Sequence, residues 1–431
     1  MTARTPRRKE TSGAQQREPR VRRTGRTAGG KVEPLYPRQK RGARSRWKQF
    51  FEAVPCVGKE QWKRNRRHMN GYVFWVTVIL VLFGLAMVYS TTSFAGDDPL
   101  AGVKKQAVFA LVGLCAMLFL PRLDYHRLLC LSWCQLYTLS AVLLVATLAF
   151  GRSSHGRTRW IRLGPVSFQP SELMKPAFLL MLAYLIKQRP PEANGYGVKD
   201  FLRLSFYILL PFVLIMKEPD LGTALILLIV GYTILFVIGV NKKIWITIIL
   251  AIGFLAPVLY ENLHDYQKKR IHDFIAEEPS YHVKQSIIAI GSGGLKGKPK
   301  DEATQTHFKF LPIATSDFIF AYNIERFGFY GGLFLLGLYG ALITHLLSLN
   351  YGLKNDYFTQ VTTTGIAALI FVYVGVNVSM TIGFAPVVGV PLPFFSYGGS
   401  SFVTFMVLFG ILQNLLTFRF DRTYSFIKIH F

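Results

Sequence analysis

The sequence predicts an all-α integral membrane protein of about ten transmembrane helices, with a long extracytoplasmic loop between spans seven and eight. Three observations lead there. Hydrophobic residues make up 51% of the 431 and charged residues only 17%, against about 25% charged in soluble domains. The apolar residues fall in blocks of about 18 to 25, the length that crosses a hydrocarbon layer as a helix. The formal charge of +26 is concentrated, since residues 1–70 hold 21 Lys and Arg against 5 acidic residues.

That amino-terminal tail is rich in Gly, Ser, Thr, Pro and Gln and is expected to be disordered. A lipid-attracted cytoplasmic tail accounts for it better than a nucleic-acid arm. No short apolar run follows the first residues, so no cleavable signal peptide is expected. Cys115, Cys130 and Cys134 lie in apolar runs and Cys56 in the tail, without zinc or redox spacing, and are read as buried bystander thiols.

The spans follow in order. The first three run from about Tyr72 to Ser90, Ala107 to Leu120 and Leu129 to Phe150. A polar loop leads to the fourth, Ser171 to Lys187, and a Pro-containing surface loop, Arg189 to Lys199, follows it. The tight Lys217–Asp220 turn separates the fifth, Leu204 to Met216, from the sixth, Leu221 to Val240. The seventh is Ile244 to Tyr260, and then comes the one long non-apolar segment, Glu261 to Ser316. Spans eight to ten are Phe329 to Leu349, Thr362 to Ile382 and Phe402 to Phe418. Residues 71–420 thus form the membrane domain and 421–431 a short tail.

Basic residues set the orientation. Arg122, Arg127, Lys187, Arg189, Lys199, Arg203, Lys242, Lys243 and Lys354 fall in alternate short loops, which places both termini in the cytoplasm. The loops left outside (151–170, 217–220, 261–316 and 385–400) are the chemically patterned ones, so function is expected at the outer face.

Ionisable residues near membrane depth are functional candidates. Arg157, Arg159, Trp160, Arg162, Gln169, Glu172 and Lys175 surround the entry to span four. Glu172 and Lys175 share a helix face, either as an internal ion pair or as part of a cationic pocket for an anionic headgroup. Asp220 opens span six as a helix cap or a site residue. The stretch Gly291–Lys298 fails as a phosphate-binding loop, because Ser292 and Pro299 stand where glycine and Ser or Thr are needed, and is read as a flexible outer loop. Asp317 sits where the long loop re-enters the membrane, between apolar neighbours that favour a raised pKa; a base and a helix cap are both open.

Several of these stretches, in order, resemble the shape, elongation, division and sporulation (SEDS) family. They are Arg159-Trp160-Ile161, Gln169-Pro170-Ser171-Glu172-Leu173 with Lys175, Pro219–Ala224, Tyr266-Gln267, Gln285-Ser286, Ala289–Leu295 and Pro391–Ser401. Thr304-Gln305 before Phe310-Leu311-Pro312 is closer to the elongation branch than to the division branch. The resemblance implies a peptidoglycan glycosyltransferase of the bacterial cytoplasmic membrane that polymerises lipid II with inversion and serves rod-shaped growth. It implies a class B penicillin-binding protein and elongation-complex membrane proteins as partners, and no nucleic acid. The alternatives are a lipid II flippase and a scaffold with weakened catalysis.

On the same resemblance Asp317 is the catalytic base. Arg159, Trp160, Glu172, Lys175, Asp220, Gln285, Ser286, Ser396 and Tyr397 are substrate-binding. No protein metal site is expected; a divalent cation (Mg or Mn) would assist the diphosphate, but no closed ligand set is visible. The chain departs from the family in Ile313-Ala314-Thr315-Ser316 before Asp317, in Arg326 after Glu325, and in Ser379 after Asn377.

Overall fold

The computed structural model describes residues 69–92, 99–123, 125–150, 161–163, 166–192, 194–262, 265–276, 279–299, 302–303, 305, 310–311, 314–353 and 356–418. The basic tail, Arg159, Trp160 and residues 419–431 lie outside them. The helices are α1 (Gly71–Thr92), α2 (Pro99–Phe119), α3 (Tyr125–Phe150), α4 (Pro170–Gln188), α5 (Val198–Lys217), α6 (Leu221–Ile238) and α7 (Lys242–Glu261). They continue as α8 (Asp265–Ile275), α9 (Tyr281–Gly293), α10 (Ile319–Leu349), α11 (Tyr357–Thr381) and α12 (Ser400–Phe418).

All ten apolar stretches are helical. Six helices are long and apolar enough to cross a membrane among the described residues: α1, α2, α6, α10, α11 and α12. Of the other four, α4 and α5 carry more charge, with Glu172, Lys175 and Lys187 in α4 and Lys199, Asp200, Arg203 and Lys217 in α5, and the described apolar part of α3 is Trp133–Ala149. Ile249, Leu250 and Phe254 on α7, Phe236 on α6 and Trp75 on α1 are exposed at 57% or more. Rows of such side chains need lipid as solvent, and the chain is an integral membrane protein.

α11 is the axis of the bundle, packing on α4, α6 and α10 and buried over most of its length. Several of its polar residues are satisfied within the helix, as an apolar medium favours. Asp356 caps it by accepting from Thr359 N–H at 3.2 Å. Thr362 and Thr363 return their hydroxyls to the carbonyls of Phe358 and Thr359. Small residues set the close approaches, since a methyl added to Gly365 would stand 2.7 Å from Leu179 and 3.1 Å from Ile234. The Gln413 carboxamide of α12 brackets Asn70 at the start of α1, donating to its carbonyl at 2.8 Å and accepting from its N–H at 2.9 Å.

Two expectations are corrected and two details are added. The polar loop before α4 contains an antiparallel ribbon pairing Ile161–Leu163 with Val166–Phe168, written in the alternation around Gly164-Pro165. α10 joins two helical pieces across a break at Gly328 (φ 66°), a short one from Ile319 and a longer one from Phe329, where the eighth span was expected. Gly291–Lys298 is not a flexible loop. It ends α9 and fills that break, with Gly294 and Leu295 carbonyls accepting from Phe329 and Tyr330 N–H and Lys298 N–H donating to Glu325. Cys115 and Cys134 are exposed rather than buried.

Chain direction sorts the charges. The carboxyl ends of α4 and α6 meet the amino ends of α5 and α7 at the Tyr196–Val240 bridge, where Lys187, Arg189, Lys199, Lys242 and Lys243 are exposed. The amino ends of α4, α6, α10 and α12 and the carboxyl end of α11 lie at the opposite end, joined by the contacts described next.

Candidate functional site

The entry to α4 is fixed by Pro170 at its first position, preformed for a helix start. One turn in, Glu172 accepts from the Lys175 ammonium at 2.7 Å, and Lys175 is 1% exposed. Its ammonium also faces the rings of Tyr373 and Phe405 at 5.0 and 5.8 Å. The internal ion pair is therefore the form the structure takes, and Lys175 presents no open cationic surface. Gln169 donates to Asp220 at 3.1 Å, tying α4 to α6. Asp220 also caps α6 through Thr223 N–H, so it serves as cap and bridge together. Beside it Glu218 is fully buried and accepts from Thr147 of α3.

α6 leads to Asp317 through one segment. A methyl on Gly222 would stand 2.9 Å from the Val388 carbonyl, and one on Gly389 would stand 3.4 Å from Oδ2 of Asp317. Residues 388–390 are thus a wall between the start of α6 and the Asp317 carboxylate. Asp317 occupies the turn before α10 and is half-buried. The cap of α10 is Phe318 with no side-chain cap bond, so the carboxylate does not cap the helix. Among the described residues it makes no ion pair and accepts only from the Ser316 hydroxyl, at 2.8 Å. Burial raises its pKa above the ordinary carboxylate value, and the Ser316 bond opposes that weakly.

The backbone of this turn is fixed from two sides. The Ser396 hydroxyl donates to the Ser316 carbonyl at 2.7 Å and Tyr397 N–H to the Thr315 carbonyl at 2.9 Å. Asn377 of α11 donates to the Asp317 carbonyl at 2.9 Å. Gln106 of α2 accepts from Gly398 N–H at 3.1 Å and holds the far side of that loop.

The structure thus brings Glu172, Lys175, Asp220, Asp317, Ser396 and Tyr397 to one end of the bundle. Two expected substrate residues have their hydroxyls engaged within the protein. Ser396 is 3% exposed with its hydroxyl between the Ser316 carbonyl and Leu392 N–H, and buried Ser286 donates to the Thr381 carbonyl at 2.8 Å. Gln285 and Tyr397 are half-buried. Asn377, Gln106 and Tyr373 were missed as site residues. Asn377 carried a signal, being a lone amide inside an apolar span.

A family model described as "Cell cycle protein" (FTSW_RODA_SPOVE) matches residues 71–420. The chain belongs to this SEDS family. Its SEDS relatives include the Helicobacter pylori peptidoglycan glycosyltransferase MrdB, 51% identical over 84% of this chain and 94% of that protein. The Escherichia coli K12 protein of the same name is 38% identical over 81% and 97%. Two solved structures share the fold. A crystal structure of the Thermus thermophilus rod shape determining protein RodA has a TM-score of 0.60 at 28% identity, covering 82% and 98%. A structure described as coordinating polymerization and crosslinking in a peptidoglycan synthase complex has a TM-score of 0.69 at 30% identity, covering 82% and 99%.

Proposed function

We propose that Asp317 is the general base of a SEDS reaction that joins lipid II units into glycan strands at the outer face of the bacterial cytoplasmic membrane. The activity is that of the relatives above. The chain is a peptidoglycan glycosyltransferase of the elongation type. The observation that carries the base assignment is the Asp317 carboxylate: half-buried, raised in pKa, free of ion pairing and capping among the described residues, and held on a clamped turn.

The chemistry needs one such group. The acceptor sugar hydroxyl loses its proton to Asp317 as its oxygen attacks the donor's anomeric carbon, inverting it. The bond to the lipid diphosphate breaks and the electron pair leaves with that diphosphate. A diphosphate is already a stable anion, so no second carboxylic acid is required, unlike the pair used in glycoside hydrolysis. Arg159 and Trp160 belong to the loop before α4 and are assigned to the diphosphate on the family resemblance alone. Lys175 acts from below, neutralising Glu172 and holding α4 against Tyr373. Among the described residues no group of three or more His, Cys, Asp or Glu is placed to hold a metal ion, and no step is assigned to Mg or Mn.

Ten crossings with both termini inside place the exposed lysines around Tyr196–Val240 in the cytoplasm and Asp317 outside, as the basic-loop rule requires. A class B penicillin-binding protein is the crosslinking partner this reading calls for. The test is fluorescent lipid II supplied to the purified chain with such a partner. A ladder of glycan polymers is expected; lipid II translocated across vesicles without any ladder would instead establish a flippase.

A further inference from the structure

The Asp317 turn is held by one side chain that no catalytic role explains. Asn377 is fully buried near the carboxyl end of α11, and its Nδ2 donates twice, to the Asp317 carbonyl at 2.9 Å and to the Val390 carbonyl at 2.7 Å. Its Oδ1 has no hydrogen-bond partner among the described residues, so the amide is held there by those two bonds alone. The bonds join segments 60 and 13 residues away from it in sequence. One carries the carboxylate and the other is the wall facing that carboxylate across Gly389 (φ 73°).

We propose that Asn377 is a positioning residue for Asp317, setting the gap between its carboxylate and the 388–390 wall and hence how far water is kept from it. This rests on Asp317 being the base. The surroundings leave little else to tune that group. Ser316 donates to it, His282 of α9 stacks on the neighbouring Phe318 at 6.3 Å, and Tyr397 closes the clamped turn. Between Tyr373 and Thr381 of α11, and between Val388 and Tyr397, the chain carries no Asp, Glu, His, Lys or Arg. With charge absent from those two faces, spacing and desolvation govern the carboxylate.

The experiment is steady-state lipid II polymerisation by the full chain with its penicillin-binding partner, measured across pH. Asn377→Leu keeps the approximate shape and removes both donors, and Asn377→Gln keeps the carboxamide. Asn377→Leu is expected to lower kcat by about a hundredfold, the cost of a misplacement near 1 Å, with KM for lipid II nearly unchanged. The acid limb of its rate profile should move down towards the ordinary carboxylate range as water reaches Asp317. Asn377→Gln should recover part of kcat, and Asn377→Leu should add nothing to Asp317→Asn, since both act through one group.

An unmoved acid limb, a KM effect alone, or losses that add to Asp317→Asn would overturn the proposal. Should Asn377→Leu not fold, Asn377→Ala decides. It removes both donated bonds without adding bulk, so the acid limb should fall there too; an unmoved limb overturns the proposal equally. A fully active Asp317→Asn would remove the base assignment and this proposal with it. An inactive Asp317→Asn beside an unmoved limb in the Asn377 variant removes the positioning role only.

Discussion

The Glu172–Lys175 pair offers a quantitative test of how the site is supported. Lys175 is 1% exposed, and Oε2 of Glu172 has no hydrogen-bond partner among the described residues, so each charge leans on the other. Glu172→Gln would leave the ammonium with the Tyr373 hydroxyl and the Tyr373 and Phe405 rings, whose cation–π attraction is worth about 2 kcal/mol when desolvated. Losing one partner of a buried pair costs about 3–5 kcal/mol, and a stranded carboxylate in Lys175→Met should cost as much. Removing both charges together leaves neither stranded, so Glu172→Gln/Lys175→Met is expected to be more stable than either single variant. Thermal unfolding in mild detergent, followed by the fluorescence of the six tryptophans, measures all four proteins. The refuting result is a double variant whose loss equals the sum of two single losses. A purely kinetic outcome, with KM for lipid II raised in Lys175→Met and stability unchanged, would return Lys175 to the role of a diphosphate ligand.

Two further outcomes follow from the same contacts. Burial raises the Asp317 pKa, so folding favours its protonated form, and its contribution to stability is present at low pH and lost as pH rises through the folded value. Asp317→Asn should therefore melt higher than the native chain at neutral pH and match it in acid; a lower melting point at neutral pH contradicts the desolvation. Gly84→Ala would place a methyl 2.5 Å from the Phe395 carbonyl, driving α1 off the clamped 391–397 segment. A loss of about 1–3 kcal/mol is expected from that overpacking, and an unchanged melting point would show that the two elements do not meet closely.

Much of this architecture was legible in the order of residues because membrane solvent makes hydrophobic runs unambiguous. Each of the ten apolar stretches is helical, and the Asp220 and Glu172–Lys175 spacings reported real local contacts. The rest depended on distant partners. The continuation of α10 to Ile319 is invisible locally, because Gly328 breaks it and the bonds that repair the break come from Gly294 and Leu295 on another element. Ser286 and Ser396 were assigned to substrate on the family resemblance, and only the fold supplies the carbonyls of Thr381 and Ser316 that accept from them. Asn377 was passed over although a lone amide in an apolar span is unusual, because its role needed the position of Asp317, 60 residues earlier.

The central claim is that one half-buried carboxylate removes the acceptor's proton. Its most direct measurement is the single-turnover rate of glycan formation from bound lipid II, comparing the native chain with Asp317→Asn at equal folding and equal lipid II affinity. Loss of a positioned general base is expected to slow that step by about a hundredfold or more, with affinity preserved. A variant that forms glycan at the native rate would contradict the assignment of Asp317.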